Sequence, residues 1–216
     1  RNLSVLSVHK TMPQAIRQLL GNGSGINALM CPGHVATITG AEAFGFIADE
    51  LRLPAVVAGF EAYDIMAALL RILHMLQNCE IKCVNMYPRA VTGQGNKEAL
   101  SLIYKVFEPC DAVWRGLGEI KGSGLGIGDR YKEFDAVRRF DISADEIMKA
   151  EGIKEAEGCI CASILCGKNI PTDCVNFGRR CTPDRPLGPC MVSAEGSCAA
   201  AIRYGDTPQR GVFLSG

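Results

Sequence analysis

Between Gly158 and Cys198 the chain reads GCICASILCGKNIPTDCVNFGRRCTPDRPLGPCMVSAEGSC, which holds seven of its 11 cysteines. Thiols at this density ligate metal, cycle between dithiol and disulfide, or cross-link a small fold. The closest pair is C-x-C at Cys159 and Cys161. The two tight CxxC knuckles of a structural zinc site are missing, which demotes zinc without removing it. Cys159, Cys174, Cys181 and Cys198 follow the spacing C-x14-C-x6-C-x16-C. Four soft anionic ligands on widely spaced loops suit a 4Fe–4S cube, in which each iron takes one thiolate from its own direction. Cys161, Cys166 and Cys190 are then surplus, and Phe177, Pro183 and Pro189 are expected to keep water away.

A second candidate site sits earlier. CPGHVATITG (31–40) follows an apolar strand, at the carboxyl end where α/β sheets place ligands. Pro32 and Gly33 predict a turn that aims His34 outward, with Thr37 or Thr39 capping the next helix. AGFEAYD (58–64) follows the next strand in the same way, so His34, Glu61 and Asp64 are expected on one rim. The plainer alternative stays open: Glu61 and Asp64 cap the helix that begins near Tyr63, and His34 bonds within a turn. Cys79, Cys83 and Cys110 read as small buried hydrophobes.

The elements that must carry these residues alternate. Strand-like runs at Leu3–Val8, Ala28–Cys31 and Ala55–Ala58 are followed by helical periods at Pro13–Leu20, Ala41–Leu51 and Tyr63–Gln77. IKCVNMYPRAVT (81–92) reads as a further strand and Lys97–Phe107 as a helix starting at Asn96. This is the pattern of βαβ units, hence an α/β lobe with an open, mostly parallel sheet and flanking helices, Rossmann-like, over 1–145. DAVWRGLGEIKGSGLGIGD (111–129) reads as two short strands with turns. Its alternate glycines lack the strand–turn–long-helix context of a dinucleotide fingerprint. YKEFDAVRRF (131–140) reads as a short amphipathic helix and DISADEIMKAEGI (141–153) as an acidic, helical connector. A small, loop-rich iron–sulfur domain is expected over 150–205, where prolines and glycines forbid long elements, with a tail at 206–216.

With 216 residues, 48% of them apolar, the chain can bury a full core. Its 23 basic and 23 acidic residues balance, so charge points to no nucleic acid, anionic membrane or acidic substrate. No apolar run approaches the length of a membrane span. With no signal-peptide pattern in it, the chain is expected in a reducing cytoplasm. It opens on Arg1 and directly on a strand-like run, as a piece of a larger protein would.

CPGHVATITG, VVAGFEAYD, WRGLGEI, GSGL, DAVRRF and the cysteine block ending CTPDRPLGPCMVSAEGSCAA together resemble the hydrogenase maturation protein family HypD, through essentially the whole chain. The resemblance implies two α/β lobes and a cluster domain similar to that of ferredoxin-thioredoxin reductase, with Cys159, Cys174, Cys181 and Cys198 as ligands of the 4Fe–4S cluster. It implies a scaffold with redox chemistry rather than a stand-alone enzyme. Such a factor acts with HypC to hold iron as cargo while cyanide, delivered through HypE, and carbon monoxide are attached. The Fe(CN)2CO unit then passes to the NiFe hydrogenase large subunit. The family's CGTH, GPGCPVC and TGFETT-type motifs do not occur in these 216 residues. The chain therefore resembles the carboxy-terminal portion, with His34, Glu61 and Asp64 on the rim facing the other lobe and no iron-holding motif of its own. Cys31 is not taken as a substitute ligand. Two other readings are an iron–sulfur redox protein that attacks disulfides through Cys161 or Cys190, and a zinc-stabilised binding module.

Overall fold

Four consecutive residues without a polar side chain, Ala55 to Ala58, can be buried on both faces of a sheet, and all four are. They form β2 (Ala55–Ala58), the middle of a parallel sheet with β1 (Leu29–Pro32) on one side and β3 (Cys83–Asn85) on the other. The register sets Cys31 against Val57 and Ala55 against Cys83. Side chains alternate across a strand. Ala55 and Val57 therefore share one core with Cys31, Ala36, Phe44, Ile47 and Val91, whereas Val56 and Ala58 share another with Ala68 and Met75.

The structure is a computed structural model that describes residues 2–21, 23–142 and 157–205. These fall into two compact units. One runs to Asp111 and adds Lys121–Asp141; the other combines Ala112–Ile120 with the described residues from Ile142 onward. No helix among the described residues is long and apolar enough to cross a membrane.

The first unit is α/β, as its alternation predicts. α1 (Met12–Leu20) carries Pro13 in its first turn, where a missing N–H costs nothing, and closes on Gly21, whose N–H donates to the Arg17 carbonyl at 2.8 Å. The segment CPGHVATITG is not a turn. After β1, Gly33–Thr39 forms the helix α2. Its hydroxyls bond backward, Thr37 to the His34 carbonyl at 2.7 Å and Thr39 to the Val35 carbonyl at 3.3 Å, and so do not cap the next element. α2 ends at Gly40, whose φ of 83° and close approach to Gly93 and Gly95 leave no room for a Cβ. The expected Ala41–Leu51 helix is instead two short pieces, a 3-10 turn at Glu42–Phe44 and α3 (Phe46–Asp49), which meet at Gly45. α4 (Ala62–Gln77) then covers the Val56/Ala58 face.

Past β3 the expected strand over 81–92 stops at Asn85. Its Oδ1 accepts the Tyr87 N–H at 2.9 Å, and its amide donates to the Val91 carbonyl at 2.8 Å, folding the chain around Pro88. α5 (Lys97–Val106) is capped by Asn96, which accepts the Ala99 N–H at 2.9 Å. β4 (Phe107–Trp114) and β5 (Gly118–Ile127) form a two-stranded hairpin, its base in the first unit and its tip in the second. The expected strand at Leu3–Val8 is instead an extended segment. Among the described residues it forms one bridge, Val5 with Asp135, and Lys10 just beyond pairs with Gly124. The expected helix at 131–140 is a 3-10 segment, Asp129–Phe134, followed by α6 (Ala136–Phe140). Asp135 breaks it by accepting the Val137 N–H.

The second unit has short elements: α7 (Cys161–Leu165), a 3-10 turn at Pro171–Asp173, α8 (Pro189–Val192) and α9 (Ser197–Tyr204). Its buried core is Cys161, Ile164, Cys181, Cys190, Met191, Cys198 and Ala199. Most of the 141–153 connector, and the tail at 206–216, lie outside the described residues.

Candidate metal centre

The core of the second unit surrounds a cavity. Cys159, Cys174, Cys181 and Cys198 line it together with Cys161, Cys190, Phe177, Ile164, Leu187 and Met191. Each thiol comes from a different local element. Cys159 precedes α7, Cys174 follows the 3-10 turn, Cys181 closes the Phe177–Cys181 bridge, and Cys198 lies in α9. Two features seat the sulfurs. The Leu187 N–H donates to Cys181 Sγ at 3.4 Å. Gly188 is buried where a Cβ would stand 2.5 Å from Cys159 Sγ, so only glycine lets that sulfur come in.

Electrostatics shows how close the four thiols are. Burial first, and then the nearness of Cys181, Cys174 and Cys159, push the Cys198 thiol up to about 11. Four thiolates cannot coexist here without a cation to compensate them. The donor set thus fits a metal group. Among the described residues, however, no three His, Cys, Asp or Glu side chains converge to hold a single ion. Zinc and iron–sulfur groups both take thiolate ligands of this kind.

Cys161 and Cys190 are joined by a disulfide with Cα atoms 6.2 Å apart, beside the quartet. The sequence did not pair them. Cys166 does not line the cavity. Pro183 is exposed, so of the three residues expected to exclude water it contributes nothing; Phe177 lines the cavity and Pro189 opens α8. Arg115, at the hairpin tip, donates to the Leu187 carbonyl at 2.9 Å and braces the segment that carries the Cys181 donor. Nothing local in WRGLGEI announces that role.

In the first unit, Asp64 is buried and accepts two hydrogen bonds from Arg89, each 2.7 Å long, besides one from the Glu61 backbone. Arg89 also reaches Glu61 at 3.2 Å and lies over the Tyr87 ring, 4.4 Å from its centroid. The guanidinium holds the Asp64 carboxyl below its usual range. His34 is exposed and stacks on Phe60, ring centroids 4.5 Å apart, with Tyr87 at 6.4 Å. The three rim residues are thus linked through Tyr87 and Arg89, two residues the sequence reading missed. Glu61 occupies the N-cap of α4 without a side-chain cap bond.

Cys79 and Cys110 are exposed and Cys83 is half-buried, against the expectation of burial. Cys79 lies just beyond α4 with φ 53°, past the last packed turn. Cys110 is on β4, an edge of the two-stranded hairpin. Cys31 is the buried thiol of this unit, pushed up to about 12 by burial and by Cys83.

The HypD family, described as "Hydrogenase formation hypA family", matches residues 1–205. A protein of Methanocaldococcus jannaschii named for hydrogenase expression/formation is 41% identical over 203 residues, covering 94% of this chain and 55% of its own length. The hydrogenase maturation factors HypD of Rhodobacter capsulatus and Azotobacter vinelandii are 39% and 38% identical, over 94% and 100% of this chain and 54% and 57% of theirs. The chain spans about half the length of these curated relatives. It belongs to the HypD family of hydrogenase maturation factors.

Proposed function

We propose that the second unit holds a 4Fe–4S cluster on Cys159, Cys174, Cys181 and Cys198, and that the chain serves NiFe hydrogenase maturation as the electron-carrying part of a HypD-type factor. The observation that carries this reading is the single cavity shared by those four thiols and the Cys161–Cys190 disulfide. When bound, such a cluster supplies electrons one at a time. The residues of the chain provide the rest. Phe177, Ile164 and Met191 exclude water, the Leu187 amide donates to the Cys181 sulfur, and Arg115 steadies that loop. The disulfide can take up two electrons and two protons, breaking its S–S bond to give two thiols.

In this proposal the partners are HypC and HypE, and the product is the Fe(CN)2CO unit destined for the hydrogenase large subunit. Holding the iron cargo falls to the CGTH motif and the redox thiol pair to the GPGCPVC motif, neither of which occurs in this sequence. The rim of His34, Glu61 and Asp64, set by Arg89, is the docking edge of the α/β lobe. The test is iron content after anaerobic purification. Cys174→Ser is expected to lose most of its iron and exposed Cys79→Ser to keep it; equal iron in both sinks the ligand assignment.

The disulfide favours a second reading, a reductase of protein disulfides. It requires that, after mild reduction with the cluster intact, Cys161 or Cys190 alkylates faster than Cys166. Mass mapping that finds no fast thiol at either position removes it.

A further inference from the structure

The cavity of the second unit is lined by sulfur and hydrocarbon with one exception. Among the described residues that line it, Asn176 alone has a nitrogen or oxygen in its side chain, and it is 3% exposed. An amide taken out of water costs free energy unless its bonds are made inside, so a buried one in an apolar lining is kept for the bonds it makes.

Those bonds join the loops of three thiols. The Asn176 side-chain amide donates to the Glu157 carbonyl at 3.0 Å, on the segment that leads through Gly158 to Cys159. The Asn176 backbone carbonyl accepts the Arg179 and Cys181 N–H groups at 3.1 and 2.9 Å, and the Phe177 N–H returns to the Cys174 carbonyl at 3.0 Å. One residue thus ties the approach to Cys159 to the turns that carry Cys174 and Cys181. Gly158 lets the amide in: its φ is 76°, and a Cβ there would stand 3.3 Å from Asn176 Nδ2. A second side-chain bond between the two segments, Cys174 Sγ to the Gly158 carbonyl at 3.7 Å, needs the thiol proton. A thiolate that ligates metal has none, so the amide is the tie that survives deprotonation.

We infer that Asn176 is a positioning residue of this centre: it holds Cys159, Cys174 and Cys181 in register for a metal group, and its amide adds polarity to a lining that is otherwise apolar. Groups that orient ligands without touching the metal, and the polarity around a site, set its affinity and its reduction potential. The second half of the inference rests on the reading of the cavity as an iron–sulfur centre. The first half does not, because the tie to Glu157 is present in the metal-free chain.

The test is made on the full chain. In the metal-free form with the disulfide intact, timed alkylation and mass mapping compare Cys159 with Cys198, which is carried by α9. Asn176→Leu keeps the volume and removes the donor. It is expected to speed alkylation of Cys159 about tenfold, the effect of freeing a segment held by one such bond, and to leave Cys198 unchanged, whereas a general loosening of the unit would speed both. Asn176→Ser, too short to reach the Glu157 carbonyl, gives the same reading if leucine is not accommodated. After anaerobic loading with iron and sulfide, Asn176→Leu is expected to lower the reduction potential by about 59 mV, a tenfold change in a one-electron equilibrium, because a less polar lining disfavours the added electron. Unchanged alkylation of Cys159, equal acceleration of Cys159 and Cys198, or a potential that does not fall overturns the inference. If the unsubstituted chain takes up no iron, the cluster reading fails, and the alkylation comparison still decides whether Asn176 positions the thiols.

Discussion

Gly188→Ala perturbs the candidate centre through one atom. The backbone of Gly188 is extended, φ −104° and ψ 158°, so alanine is conformationally free to stand there. The added methyl would lie 2.5 Å from Cys159 Sγ and 3.5 Å from Cys161 Cβ. Ordinary contact is about 3.5–4.0 Å, so the sulfur must retreat by about 1 Å or more. In the metal-free protein Cys159 can do so by rotating about one bond, and overpacking of this kind costs about 1–3 kcal/mol, or roughly 2–12 °C in the melting temperature at this size. A ligand has no such freedom. Displacing one of four is expected to weaken cluster binding roughly 10- to 100-fold, in the range seen when support of a metal ligand is removed. The assay compares iron and sulfide per chain after anaerobic reconstitution with the melting of the metal-free form. A variant that melts a few degrees lower but loads iron as well as the unsubstituted chain would refute the placement of Cys159 as a ligand against Gly188.

Three further outcomes follow from the packing. Cys31 has its thiol raised from near 9 to about 12, so folding favours its protonated form. That stabilisation is full below about pH 9 and is lost as pH climbs towards 12, by up to about 4 kcal/mol. Thermal melts should therefore fall more steeply over that window in the unsubstituted chain than in Cys31→Ala. Met75→Ala empties a fully buried site under the sheet and should cost about 2–5 kcal/mol in urea unfolding of the first unit. Arg115→Ala removes the donor to the Leu187 carbonyl and should cost about 1.5–3 kcal/mol, seen as faster hydrogen exchange at the Leu187 amide; unchanged exchange would mean the hairpin tip braces nothing.

How much of this was legible depended on whether the cause was local. Ala55–Ala58 and Ala62–Gln77 announce themselves, because a run without polar side chains and a 3.6-residue period are properties of adjacent residues. α2 did not. Pro32–Gly33 reads as a turn and Thr37, Ile38 and Thr39 are poor helix formers, so its helix rests on packing, with Ala36 completely buried. Arg89 was invisible because its partner Asp64 is 25 residues away and meets it only after the chain folds back around Pro88. Arg115 was hidden more deeply, since its acceptor at Leu187 is 72 residues on. The spacing of Cys159, Cys174, Cys181 and Cys198 singled them out as a set, whereas the union of Cys161 with Cys190 could not be read, because spacing does not determine connectivity.

The central claim is that the cysteine unit is an iron–sulfur centre. Its most direct test is the iron, sulfide and zinc content of the anaerobically purified chain, read with its visible absorption and the electron paramagnetic resonance of the reduced form. The account predicts a brown protein with about four irons and about four sulfides per chain and a signal lost in Cys174→Ser. A colourless protein with zinc at the same thiols, or iron that survives removal of Cys174, would contradict it.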